Sequence, residues 1–108
     1  MATFPWYRGE TYKFSLLLHD KAGAVISEAF TGVQLFVRPP DSTIIIPGAA
    51  ETVLYEGQPV TGFSFVLDDA RLGAAPIGIH YAQLWGTAGL GAKMITADIA
   101  IHIKEGTA

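Results

Sequence analysis

The sequence predicts an all-β chain: a single antiparallel β-sandwich of Ig-like type, with at most one short helical turn. Three observations predict it. Apolar and polar residues alternate in five segments, the period a half-buried strand needs because successive side chains point to opposite faces. Gly- and Pro-containing turns separate those segments, drawn from 12 glycines and 6 prolines. No segment sustains a 3.6-residue apolar period. Several short strands punctuated in this way indicate a sandwich.

The first strand is Thr11–His19. Tyr12, Phe14, Leu16 and Leu18 share one face, and Lys13, Ser15, Leu17 and His19 the other. Asp20-Lys21-Ala22-Gly23 is a turn, with Gly23 free to take a positive φ. A short strand follows at Ala24–Ile26, then a longer one at Gly32–Arg38 with Val33, Leu35 and Val37 inward. Pro39-Pro40 ends it, since proline cannot donate to a ladder. Ser42–Pro47 carries Ile44-Ile45-Ile46, which reads either as a short strand or as an apolar loop tip.

Glu51–Glu56 is a strand and Gly57-Gln58-Pro59 a turn. Gly62–Leu67 alternates Phe63, Phe65 and Leu67 against Ser64 and Val66. An aspartate at Asp68-Asp69 can cap one helical turn reaching Leu72. After a loop at Gly73–Pro76 come a strand at Ile79–Trp85, a loop at Gly86–Ala92 and a last strand at Lys93–Lys104. That last strand places Ile95, Ala97, Ile99, Ile101 and Ile103 on one face. The expected core includes Phe14, Leu16, Leu35, Phe65, Ile99 and Ile101.

A length of 108 residues fits one domain spanning residues 1–108. Cysteine is absent, which removes disulfides and thiolate metal sites. Asparagine is absent too, which removes N-linked glycosylation and Asn-Gly hairpin turns. The net charge is −3 with the signs interspersed, so no basic footprint for nucleic acid exists. The opening Met1-Ala-Thr-Phe-Pro-Trp lacks the basic flank and apolar run of a signal peptide. No stretch reaches the roughly 18 apolar residues of a membrane span. Charged residues make up 16% of the chain, against about 25% in typical domains, while half the chain is hydrophobic. A domain this small buries only roughly 60–70% of the surface its unfolded chain exposes. The balance therefore points to apolar surface used in protein contacts, and to an oligomer or a subunit.

Candidate chemistry is sparse. Gly86-Thr-Ala-Gly-Leu-Gly-Ala-Lys93 lacks the adjacent Gly-Lys-Ser/Thr and the following helix of a phosphate loop, and reads as a hairpin. His19, His80 and His102 fall on three different predicted strands, with no pair at metal-ligand spacing on a helix. Asp68-Asp69 is the only adjacent acidic pair, and neighbours on a strand point opposite ways. None of Ser15, Ser27, Ser42 and Ser64 lies in a nucleophile elbow. The reading is a non-enzyme with no cofactor, metal or catalytic residue. Trp6, Tyr7, Tyr12, Tyr55, Tyr81 and Trp85 leave a sugar-stacking platform open, hence a carbohydrate-binding module as the alternative.

The order of short motifs resembles a family of small phage virion β-sandwich domains, among them the N-terminal domain of baseplate upper proteins and related tail or fibre-anchoring proteins. The residues that carry it are Arg8-Gly9-Glu10-Thr11, the Asp20–Gly23 turn, Thr31-Gly32 through Arg38-Pro39, and Asp68-Asp69 with Leu72, Gly78 and Tyr81. A closing strand at Thr96–Ile103 completes the likeness. The resemblance implies a virion structural protein made in the host cytoplasm. Because the sequence stops at Ala108, it favours an adaptor, fibre-joining or head-decoration subunit over a receptor-binding protein. The expected partners are other copies, as a trimer or hexamer, or a larger virion protein, or both. The expected contact residues are Phe4, Pro5, Trp6 and Tyr7, ahead of the first strand, and then Ile44, Ile45 and Ile46. The competing expectation for both segments is that they fold back as lids on the sandwich.

Overall fold

The computed structural model describes residues 2–20, 22–40, 42–89 and 91–106. Among them run β1 (Ala2–Tyr7), β2 (Tyr12–Leu16), a 3-10 turn (Ser27–Ala29), β3 (Gly32–Val37), β4 (Ile44–Pro47), β5 (Ala49–Tyr55), β6 (Gln58–Leu67), α1 (Asp69–Leu72), β7 (Gly78–Ala88) and β8 (Gly91–Lys104). Five strands form one sheet in the order β1-β8-β7-β3-β4, and three form a second in the order β2-β6-β5. The sheets pack as a sandwich around one apolar core. Phe14, Leu35, Phe65, Ile99 and Ile101 are buried in it as expected, and Leu16 is half-buried against it.

Several expectations need correction. The sandwich is not wholly antiparallel, because β1 pairs with β8 in parallel from Ala2↔Ile99 to Tyr7↔Lys104. A parallel pair needs a long connection, and here the rest of the domain supplies it. The residues ahead of Thr11 are therefore a strand. Phe4 and Trp6 point inward while Pro5 and Tyr7 point outward, a short alternation masked in the sequence by aromatics on both faces. Pro5 is tolerated because β1 lies at the sheet edge.

Ile44-Ile45-Ile46 is not a loop tip but part of β4, paired with β3 through Leu35↔Ile46 and Phe36↔Ile45. The turn expected at Gly57–Pro59 is shorter and earlier. Tyr55 pairs with Gln58, leaving a two-residue loop of Glu56 (φ 52°) and Gly57 (φ 79°). Two positive φ values give the type I′ geometry that suits the twist of a hairpin.

The loop expected at Gly86–Ala92 is mostly strand, since β7 runs on and Ala88 pairs with Gly91. Leu90 in that loop, like Lys21 in the Asp20–Gly23 turn and Asp41 after Pro39-Pro40, lies outside the described residues. The register between β7 and β8 slips twice, between Ala82 and Leu84 and between Leu84 and Trp85. Extra residues on β8 interrupt its expected apolar face at Ala97, which is exposed, while Ile95, Ile99, Ile101 and Ile103 pack on the core side as expected. The short strand expected at Ala24–Ile26 reduces to one bridge, His19↔Val25, and a 3-10 turn joins α1 as a second helical turn.

The motifs behind the resemblance do structural work. At the crossing from β1 to β2, Gly9 (φ 91°) turns the chain. The Glu10 carboxylate accepts from Tyr7 N–H, the Glu10 carbonyl accepts from Trp6 Nε1 at 3.0 Å, and Gly9 N–H donates to Asp69. The Arg8 guanidinium donates to the Ala75 carbonyl, tying this corner to the loop after α1. Asp20 Oδ1 accepts from the N–H of Ala22 and of Ala24, which shapes the next turn around Gly23 (φ 89°). Asp68 caps α1 by accepting from Arg71 N–H at 3.1 Å.

Candidate docking face

The two sheets differ in what they show to solvent. On the three-stranded sheet the outer face carries a polar cluster beside Val53, Val60 and Val66. Lys13 Nζ lies 3.1 Å from Glu51 Oε2, and the Ser15 hydroxyl donates to the same carboxylate. That hydrogen bond, followed by the Lys13 ammonium, holds the Glu51 carboxyl below the usual glutamate range.

The five-stranded sheet is apolar on both faces. Inward go Val33, Leu35, Val37, Ala82 and Leu84, with Ile99, Ile101 and Ile103 of β8. The alternate positions point outward and still carry large apolar groups. Ile45 of β4 is 47% exposed, Ile79 of β7 is 55% exposed and Tyr81 of β7 is 62% exposed. Phe36 and Trp85 lie half-buried between them, ring centroids 6.1 Å apart and edge to face. The registers Phe36↔Gln83, Gln34↔Trp85 and Phe36↔Ile45 place these residues side by side across β7, β3 and β4. Met94 flanks Trp85 and is 47% exposed.

Polar groups fix and rim this patch. Gln83 Oε1 accepts from Arg38 Nη2 at 3.0 Å and from Trp85 Nε1 at 3.1 Å, so one amide orients both the guanidinium and the indole. On the β8–β1 side, Lys104 Nζ stands 5.3 Å from the centre of the Tyr7 ring, a cation–π contact. His102 is half-buried between Ile79 and Pro5. The outward positions of β1, β3, β4 and β7, and of β8 from Ala100 to Lys104, bring Arg38, His102 and Lys104 but no carboxylate.

The structure divides the expected contact residues. Trp6 and Ile46 are wholly buried in the chain's own core, and Phe4 and Ile44 pack against it. Those four side chains fill the sandwich. Pro5, Tyr7 and Ile45 remain on the outer face, where they join Phe36, Ile79, Tyr81 and Trp85. The last four were missed as one site. Their signal was present: strands that are apolar at both alternating sets read as covered on both faces.

The other candidates stay apart. His80 is buried, with Nε2 2.6 Å from the Pro76 carbonyl, while His19 meets the Tyr55 ring and His102 lies on the outer face. Among the described residues no cluster of His, Asp and Glu could hold a metal ion. Asp68 and Asp69 are used by the helix cap and by Gly9. The aromatics weighed for sugar stacking do not converge: Trp6 is in the core, and Tyr12 and Tyr55 belong to the other sheet. A cleft of about 380 Å³ opens where β8 slips register, lined by Phe4, Leu16–His19, Leu84, Ile95, Thr96, Asp98 and Ile99. No described helix is long and apolar enough to cross a membrane.

No known protein family, curated protein or solved structure matches the chain.

Proposed function

We propose that this domain is a non-enzymatic structural module that works through protein–protein contacts, with the outer face of the five-stranded sheet as its docking surface. One observation carries the reading: Ile45, Ile79, Tyr81 and Met94, each about half exposed or more, share one face with Phe36 and Trp85. A contiguous apolar patch with a polar rim is the usual mark of a protein contact. Aromatic and Arg anchors supply most of the energy in such contacts. The Ig-like architecture belongs to the same proposal. Its support is the strand order, because β2-β6-β5 against β4-β3-β7-β8 matches the arrangement of Ig sandwiches, with β1 added beside β8.

The virion setting rests on the sequence motifs alone. We place the chain as a tail, baseplate, fibre-joining or head-decoration subunit of a phage particle. The carbohydrate alternative is weaker, because Phe36 and Trp85 meet at 73° rather than offering a flat platform.

The test is an Ile79→Ser/Tyr81→Ser variant assayed for incorporation. Mass spectrometry of purified particles should find the wild-type chain at a fixed stoichiometry and the variant depleted, with thermal stability unchanged. A wild-type chain absent from particles overturns the virion setting. Normal incorporation of a folded variant overturns the docking face.

A further inference from the structure

The hairpin of β5 and β6 extends past the end of β2, whose pairing with β6 stops at Leu16↔Phe63. From Glu51↔Gly62 to Tyr55↔Gln58, β5 and β6 pair with each other and, among the described residues, with no third strand. The residues from Glu51 to Val60 include Glu51 and Glu56 and no Lys or Arg. Near the tip stands Leu54, 77% exposed, the most exposed large hydrophobic side chain among the described residues. Lys13 neutralises Glu51, so the net negative charge of the arm comes from Glu56, which stands beside an apolar knob. The outer face of the five-stranded sheet is its converse, an apolar surface rimmed by Arg38, His102 and Lys104. That face holds two of the chain's firm positive charges while the whole chain is at −3, so the rest of the surface is more acidic than the total.

We infer that the occupant of the docking face is the β5–β6 arm of a second copy of this chain. The inference rests on the docking role of that face. Charge complementarity selects the geometry. Two identical faces packed together would bring Arg38, His102 and Lys104 toward their own copies, and like charges oppose such pairing. Arm against face puts Glu56 toward the basic rim and Leu54 onto Phe36, Tyr81 and Trp85. This contact is heterologous, so each copy keeps a free arm and a free face, and association continues into a ring or an open filament.

The size of the contact sets its strength. Five strands about 4.8 Å apart, over roughly 17 Å of strand, offer on the order of 400 Å² of face. The arm is two strands wide and five residue pairs long, so it covers on the order of 160 Å² of that face, and both partners together bury roughly 300 Å², below the range of specific interfaces. Single contacts are weak, and accumulation along a ring or on a larger scaffold strengthens them.

The experiment is sedimentation velocity of the wild type, Leu54→Ser, Tyr81→Glu and an equimolar mixture of the two variants, up to roughly 1 mM, where contacts this weak populate. Leu54 and Tyr81 are exposed, and unchanged melting curves confirm that both variants fold. The wild type should associate beyond dimers as concentration rises, and each variant should stay monomeric. The mixture should form dimers and nothing larger, because only the intact face of Leu54→Ser and the intact arm of Tyr81→Glu can meet. A wild type that stays monomeric overturns the inference, while the docking face still stands on the incorporation assay. Dissociation by Tyr81→Glu but not by Leu54→Ser also overturns it, and shows a face-to-face contact. A mixture that remains monomeric overturns it as well.

Discussion

Replacing Trp6 by alanine separates a docking role for the first strand from a core role. Trp6 is wholly buried, and its Nε1–H donates to the Glu10 carbonyl at 3.0 Å. An aromatic side chain of this kind buries roughly 150–250 Å², which at about 25 cal/mol per Å² amounts to about 4–6 kcal/mol. Truncations of buried Trp and Phe to alanine measure about 3–5 kcal/mol, cavity included. The lost hydrogen bond adds about 1 kcal/mol and leaves the Glu10 carbonyl to find water. A domain has only about 5–15 kcal/mol in total, so the variant should lose about a quarter or more of its stability. At about 4 °C per kcal/mol the melting temperature should drop by about 15 °C or more. Thermal and urea unfolding followed by circular dichroism read both quantities. Trp6→Phe should recover most of the loss, because it keeps the ring and gives up the donor. A change under about 0.5 kcal/mol in Trp6→Ala, the range of surface substitutions, would refute the core assignment and reopen the docking role.

Three other perturbations follow from the same geometry. In Gly86→Ala the new Cβ would stand 2.4 Å from Phe30 Cδ1, a side chain that is itself buried, so overpacking should cost about 1–3 kcal/mol in urea unfolding. Glu56→Asn should stabilise the β5–β6 hairpin by roughly 0.5–1 kcal/mol, since Glu56 sits at φ 52° where asparagine is better tolerated; a loss of stability there would contradict the type I′ turn. The Glu51 carboxyl, held below its ordinary value first by the Ser15 hydrogen bond, stabilises the fold above the unfolded glutamate pKa and loses that contribution as pH falls through the folded one. In Ser15→Ala an NMR titration should find the Glu51 midpoint raised toward the ordinary value, and an unmoved midpoint would remove Ser15 as the main cause.

What the sequence disclosed and what it concealed have the same physical origin. Alternation is readable wherever one face is polar, as at Lys13, Ser15 and Ser64, and there the expected strands and core residues agree with the structure. It is unreadable where both faces are apolar. Phe4-Pro5-Trp6-Tyr7 and Ile44-Ile45-Ile46 looked like apolar runs seeking a partner, because nothing in a one-dimensional pattern says which alternate residue points inward. The structure splits each run, with Trp6 and Ile46 inward and Pro5, Tyr7 and Ile45 outward. Register is harder still. The slips between β7 and β8 depend on pairing between strands, and they insert two extra residues into the most regular stretch of alternation in the chain, so that Ala97 is exposed while Ile95, Ile99, Ile101 and Ile103 all pack on the core side.

The low charge content and the outer face meet in one argument. Half the chain is hydrophobic, and the core absorbs much of it. The excess is not spread evenly, since the three-stranded sheet turns Lys13, Ser15 and Glu51 outward while the five-stranded sheet turns out Phe36, Ile45, Ile79, Tyr81 and Trp85. An excess needed only for folding would serve equally well on either sheet. The gathering of Ile45, Ile79, Tyr81 and Met94 on one face, with Gln83 holding Arg38 and Trp85 in fixed orientations, is what a surface built for contact requires, because side chains ordered in advance lose less entropy when a partner arrives.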